Sequence, residues 1–236
     1  MKLDALAIAA HRDDVEIVCG GTVIKLADLG YKVGIIDLTQ GEMGTLGSKE
    51  QREKEALNAA KVMGVKIREN LMLPDSKVEP TWENKLKLVR LIRKHKPRLA
   101  ILPYWTQRHP DHANCSKLAY DACYLSGLAK LDAPGEPHRP SKIIYNSSFH
   151  QIQHSFIVDI TDQFERKKKA VACYKSQFQE MTSGKVVFPP AGDIFEFMEI
   201  TARHYGYLIR KKYGEAFVTK EMMEIDDPMK IPVSSI

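Results

Sequence analysis

Apolar runs and helical patterns alternate through the first half of the chain. Leu3 to Ala10 is an apolar run of strand length, and Lys32 to Thr39 is a second, rich in Val, Ile and Leu. Lys66 to Leu73 and Arg98 to Tyr104 predict a third and a fourth strand. Between them lie helical patterns at Val15 to Leu29, closing at Gly30, at Glu50 to Met63, ended by Gly64, and at Trp82 to His95, stopped by Pro97. A further helix is expected over Pro110 to Ser126, with Pro110 suited to the first turn. Gln40 to Ser48 is Gly-rich and polar and reads as a loop, as does Pro74 to Pro80. The second half is less regular. Lys142 to Phe149 and Ser155 to Ile160 predict two more strands. Thr161 to Phe178 predicts a helix capped by Thr161 or Asp162, and Ile194 to Lys212 a long one. Met181 to Asp193, with Pro189-Pro190, is expected to be a loop.

This rhythm predicts an α/β fold, a Rossmann-like three-layer arrangement with a mainly parallel sheet, right-handed crossovers and helices on both faces. No repeat, low-complexity tract or linker interrupts it, so residues 1–236 are expected to form one domain, with a loose tail over 218–236.

Composition narrows the function classes. The 236 residues can bury a full core, and the formal charge of +5 is modest. Lys and Arg are spread out apart from Arg166-Lys167-Lys168-Lys169 and Arg210-Lys211-Lys212, which read as solvated helix faces; no nucleic-acid partner is expected. No signal peptide is visible, and no apolar run approaches the roughly 18 residues of a membrane span. Cys19, Cys115, Cys123 and Cys173 form no metal-type or disulfide-type spacing, which suits free thiols in a cytoplasmic protein.

Two segments at predicted strand ends carry the chemistry. Ala10-His11-Arg12-Asp13-Asp14 follows the first strand, and Arg108-His109-Pro110-Asp111-His112 follows the fourth. In an open α/β sheet, ligands bind at such ends. A turn can aim His11 and Asp14 at one point, and His112 can join them. Two imidazoles and one carboxylate leave coordination open on a zinc ion, as a catalytic site needs. Asp13, beside a ligand, is placed to take a proton from water. His109 and Asp111 read as a pair in which the carboxylate orients an imidazole facing a developing oxyanion. Singly, each residue has a plainer reading: Asp13 or Asp14 as a helix cap, His109 as a turn residue, Asp111 as a first-turn carboxylate favoured by the helix dipole. Together, at two strand ends, they favour a metal site.

At these residues the chain resembles the zinc-dependent N-acetylglucosamine deacetylases of the LmbE-like, or PIG-L, family, which carry His-Pro-Asp-Asp after the first strand and a His-Pro-Asp-His type motif further on. The resemblance covers Leu3 to about Phe217. It looks nearest the branch that deacetylates N-acetylglucosaminyl-malate on the way to bacillithiol. The stretches that carry this are Asp37 to Thr45, Arg52 with Glu55-Ala56, Pro103-Tyr104-Trp105, Tyr174 to Phe178 and Tyr213 to Phe217. It implies His11, Asp14 and His112 as ligands of one zinc ion per chain, with ferrous iron possible. It implies Asp13 as general base, and His109, supported by Asp111, as stabiliser of the tetrahedral intermediate or proton donor to the amine. Arg52 and Arg108 would grip the malate carboxylates, for which the planar guanidinium fork is suited; the alternative for Arg52 is a solvated helix residue. Gly41, Gly44 and Gly47 would let their loop line the pocket. The expected partner is a small-molecule GlcNAc conjugate, with a chitooligosaccharide as second choice, and the expected assembly is a homo-oligomer, trimer or hexamer.

One position departs from the family pattern: Arg12 stands where proline is usual. Proline would fix φ and stiffen the turn. Without it, either other packing holds the loop, or Arg12 contacts Asp13 or the substrate. Two other classes compete. A nucleotide-binding Rossmann protein is disfavoured because no G-x-G-x-x-G is present and Gly20-Gly21 falls inside the helix, where it permits close packing. A metal-binding scaffold without catalysis would have no need of Asp13 and His109.

Overall fold

The computed structural model describes residues 1–146, 152–178 and 193–233. Its strands are β1 (Ala5–Ala9), β2 (Val33–Thr39), β3 (Ile67–Leu73), β4 (Leu99–Pro103), β5 (Lys142–Asn146), β6 (Phe156–Asp159) and β7 (Gly214–Val218). Its helices are α1 (Asp14–Asp28), α2 (Lys49–Met63), α3 (Trp82–His95), α4 (Pro110–Leu125), α5 (Phe164–Val171), α6 (Lys175–Phe178) and α7 (Ile194–Leu208). The sheet order is β3-β2-β1-β4-β5-β7-β6. The first five strands in that order pair in parallel, whereas β7 runs antiparallel to both β5 and β6. The α/β expectation therefore holds, with an antiparallel corner added.

β1 shows how the sequence sets the layers. Its five residues are all buried and alternate alanine with a larger side chain. Leu6 and Ile8 join Ile36, Leu38, Leu88, Ile92 and Leu118 beneath α3 and α4. Ala5, Ala7 and Ala9 face the other way, beside Val15, Val23, Ala56 and Ala59 of α1 and α2. Strand side chains point alternately to opposite faces, so this alternation assigns the bulky side to one layer and the small side to the other. Truncating Leu6 to alanine would cost about 2–5 kcal/mol through lost burial and the cavity left behind.

The chain winds outward from β1 to β2 and β3, then returns to β4 on the opposite side of β1. The strand order thus reverses between β1 and β4, where such sheets leave a crevice at the carboxyl ends of their strands. The β1–α1 and β4–α4 connections both open there.

Boundaries in the first half fall within a residue or two of expectation, and Gly30 and Gly64 follow α1 and α2 with left-handed backbone. Three differences concern later or internal features. The expected helix over Thr161 to Phe178 is divided into α5 and α6 by a turn at Ala172 to Tyr174, and Thr161 bonds Asp159 instead of capping α5. The expected helix from Ile194 ends at Leu208, and the chain turns back into β7, a strand the sequence pattern did not predict. α1 carries a break at Cys19 (φ −136°, ψ 19°). The end of the predicted strand to Phe149 and the loop from Met181 to Ala191-Gly192 lie outside the described residues. β7 extends to Val218, one residue into the expected tail, and much of the segment beyond is exposed, with a short 3-10 turn at Pro228–Lys230.

Candidate active site

β1 and β4 are neighbours, with Ala5 beside Leu99 and Ala7 beside Ile101. The two motif segments that follow them are therefore brought to one point from sequence positions about a hundred residues apart. His11 Nδ1 lies 3.1 Å from His112 Nε2. Asp14 Oδ2 lies 3.5 Å from His11 Nδ1, and Asp14 Oδ1 lies 3.2 Å from His112 Nε2. Nitrogen and oxygen ligands at about 2.0–2.1 Å from a tetrahedral zinc ion would be separated by about 3.3 Å. The two carboxylate oxygens of Asp14 each face one imidazole near that separation, and with one oxygen as the third donor the ligand atoms lie within 4.8 Å of one another, so His11, Asp14 and His112 fit a single divalent cation. The charge balance fits too. Burial alone would push the His11 imidazolium down, yet facing carboxylates of Asp14, Asp111 and Asp75 hold it well above its ordinary value. Burial would likewise raise Asp14, but His112 and His11 hold it well below the usual carboxylate range.

Asp13 occupies the N-cap position of α1, but its side chain makes no capping hydrogen bond. It lies instead 3.6 Å from Nη2 of Arg52. Arg52 is only 5 % exposed, which excludes a solvated helix residue. Its Nη1 donates to the Gly41 carbonyl at 2.7 Å. Gly41 has φ +72°, and a Cβ there would fall 2.1 Å from that same nitrogen. Of the three glycines in this loop, this one is required both by backbone conformation and by the guanidinium packed on it. Arg108 lies exposed next to His109.

His109 is the N-cap of α4, and its Nδ1 accepts the Asp111 backbone N–H at 3.1 Å. With Nδ1 accepting, the neutral ring carries its proton on Nε2. Burial, with the nearby His11 and His112, holds His109 below its ordinary pKa. The Asp111 carboxylate supports a different partner from the one expected. It accepts N–H bonds from Ser76 at 2.8 Å and Val78 at 3.3 Å, and lies 3.6 Å from Nε2 of His11. The Asp111–His109 bond runs through the backbone, because the first helical turn points the carboxylate inward toward His11.

The sequence reading missed Asp75, which follows β3. Its Oδ1 lies 3.1 Å from Nε2 of His11, on the ring edge opposite the donor triangle. A carboxylate there fixes the tautomer that leaves Nδ1 free to ligate. Asp75 also accepts N–H bonds from Met43 at 3.0 Å and Ser76 at 2.8 Å, and its own N–H donates to Glu42 at 2.8 Å. Burial opposes its ionisation, but the His11 bond and these amides hold it at about 2. It staples the Gly41–Gly44 loop to a ligand. The signal for it was an aspartate just after a predicted strand, the same context that singled out Asp13 and Asp14.

Arg12 does not contact Asp13. Its Nη1 donates to the Lys49 carbonyl at 2.6 Å, so the side chain ties the turn to the start of α2. No helix among the described residues is long and apolar enough to cross a membrane.

This site can be set against known proteins. Residues 6–123, which contain both motif segments, match the family described as GlcNAc-PI de-N-acetylase, PIG-L. Diacetylchitobiose deacetylase of Thermococcus kodakarensis is 30% identical over 229 residues, covering 89% of this chain and 80% of that protein. The structure of a conserved protein from Thermus thermophilus, TT1542, superposes with a TM-score of 0.86 at 35% identity, over 95% of this chain and 98% of that one. The structure of N,N'-diacetylchitobiose deacetylase from Pyrococcus horikoshii, in complex with its inhibitor MPG, superposes with a TM-score of 0.77 at 32% identity, over 91% and 82%. A half-length family match that spans the donor triangle, joined to near full-length similarity, leads to one conclusion: the chain belongs to the PIG-L family of deacetylases.

Proposed function

We propose that this chain is a metal-dependent hydrolase that removes acetate from an N-acetylglucosamine-type sugar, with N,N'-diacetylchitobiose or a related chitooligosaccharide as the leading substrate. The convergence of His11, Asp14 and His112 carries this reading. A zinc ion held by them, or ferrous iron in its place, would act as a Lewis acid toward water and the amide carbonyl. Asp13 takes the proton from the attacking water, since its carboxylate is spared from capping α1. Arg52 steadies that carboxylate from the side of the Gly41 loop. His109 presents Nε2–H to the carbonyl oxygen as negative charge develops there. When the C–N bond breaks, the proton held by Asp13 passes to the leaving amine, giving acetate and a free glucosamine unit.

The disaccharide ranks first because relatives 30% and 32% identical are named for it. N-acetylglucosaminyl-malate, preferred from the motifs, becomes the second reading. It rests on Arg52 and Arg108, and Arg52 is already engaged with Asp13 and Gly41. The deciding experiment measures acetate release from N,N'-diacetylchitobiose, free GlcNAc and N-acetylglucosaminyl-malate, with and without chelator. Chelator-sensitive release, greatest from the disaccharide, is the expected result. Release greatest from the malate conjugate would reverse the ranking, and no release from any of them by the zinc-loaded chain would defeat the hydrolase reading. A cytoplasmic, homo-oligomeric protein folded as one domain over residues 1–236 completes the proposal. Light scattering and limited proteolysis test its last two parts.

A further inference from the structure

Arg12 replaces the proline of the family motif, yet its side chain leaves the site for Lys49. On the inner side, the turn is held through the backbone carbonyl of Arg12. Two donors converge on that one oxygen: Nη2 of Arg68, from β3, and the hydroxyl of Tyr174, from the turn between α5 and α6. Neither donor is free to drift. Arg68 forms a bidentate pair with Asp37 of β2, Nε to Oδ2 at 2.8 Å and Nη2 to Oδ1 at 2.9 Å. Its Nη1 reaches Glu16 of α1 at 2.5 Å and the Ala56 carbonyl of α2 at 3.2 Å. Tyr174 is fully buried, with its hydroxyl also 3.0 Å from Glu16.

We infer that Arg68 and Tyr174 are positioning residues that pin the Arg12–Asp13 peptide plane and so aim Asp13 at the reaction, replacing the restraint that proline would supply. The inference rests on the hydrolase reading for its kinetic arm. The plane of a peptide is set by ψ of the residue before it and φ of the residue after it. Fixing the carbonyl of Arg12 therefore fixes where the backbone of Asp13 begins, while His11 and Asp14 on either side are held by the donor triangle. Proline restricts the same short turn through φ of residue 12. The clamp is made by side chains from two parts of the fold, β3 and the turn between α5 and α6, both far from Arg12 in sequence, which is why no local sequence pattern reveals it.

Tyr174→Phe is the mild test, because it removes one hydroxyl and leaves the ring and the Arg68 pairs in place. With the full chain loaded with zinc and N,N'-diacetylchitobiose as substrate, kcat is expected to fall about tenfold, since small displacements of a reacting group cost at least that much. KM should stay within about twofold and one zinc per chain should be retained, because the clamp touches neither sugar nor ligand atoms. Introducing Arg12→Pro into the Tyr174→Phe chain should then recover most of the lost kcat. Wild-type kcat in Tyr174→Phe, a fall that only tracks the folded fraction by thermal melting, or no recovery with proline would each overturn the inference. If the unaltered chain releases acetate from no sugar, the functional reading fails, and crystal structures decide the clamp alone. An Arg12–Asp13 peptide plane that rotates in Tyr174→Phe supports it, and a plane that stays in place overturns it.

Discussion

Helix α1 touches two polar clusters, one buried and one half-buried, and they are built on opposite plans. At its break, Glu215 of β7 is saturated. Oε1 accepts from the Gly21 N–H at 2.9 Å and from Lys167 Nζ at 2.6 Å, while Oε2 accepts from the Thr22 N–H at 2.7 Å and the Thr22 hydroxyl at 2.6 Å. The break at Cys19 exposes fresh helical N–H groups, and Glu215 caps them as an anion caps any helix N-terminus. At the start of α1, the arrangement is the reverse. His11, His112 and Asp14 turn their ligating atoms toward one another at 3.1–3.5 Å, with Asp75 bonded to the far side of the His11 ring. A carboxylate with every acceptor position matched by a donor holds the fold. Lone pairs that converge on each other call for a cation.

Substitutions in each cluster should separate the two plans by experiment. The largest effect is expected at the triangle: Asp14→Ala should remove both the metal, read by elemental analysis, and all acetate release. Asp13→Asn should keep the metal but lower kcat by about 10²–10⁴, the range for losing a general base; steady-state kinetics with metal content in parallel checks it. At the other cluster, Glu215→Ala leaves Lys167 buried without its partner and should destabilise the chain by about 3–5 kcal/mol in denaturant titration. The zinc stoichiometry of its folded fraction should not change, because the two clusters share only the helix. Asp75→Asn weakens the support of His11 and should loosen metal binding about 10–100-fold in chelator competition. The smallest effect is expected at Ser48, whose hydroxyl caps α2 by accepting the Gln51 N–H at 3.2 Å. Ser48→Ala should cost about 0.5–2 kcal/mol of stability with the triangle intact.

The two clusters were also unequally legible. The triangle was visible because its residues sit next to strand ends, and strand ends can be found from local apolar runs. Even its supporting shell was half visible: Asp111 stood in the motif, but its carboxylate bonds belong to Ser76, Val78 and His11, not to the ring of His109. The Glu215 cluster was invisible. β7 has only five residues, begins with glycine, and is a strand because β5 and β6 flank it, not because Gly-Glu-Ala-Phe-Val favours one. Gly20-Gly21 reads as a packing device, and Gly21 does lie close under Ile160. That its N–H would be capped by a residue 194 positions away could not be read.

The parallel half of the sheet, the alternation that gives β1 one bulky and one small face, and the six motif residues at two strand ends are all written in local sequence. These follow from local periodicity and from the rule that ligands gather where strand order reverses. Which atoms meet depends on the packing of distant segments: Asp75 backs His11, Arg52 faces Asp13, and Arg68 and Tyr174 hold the carbonyl of Arg12. Each of those contacts joins segments far apart in the chain, and their partners are selected by burial, where a polar group left unmatched is costly, and not by any pattern of neighbours.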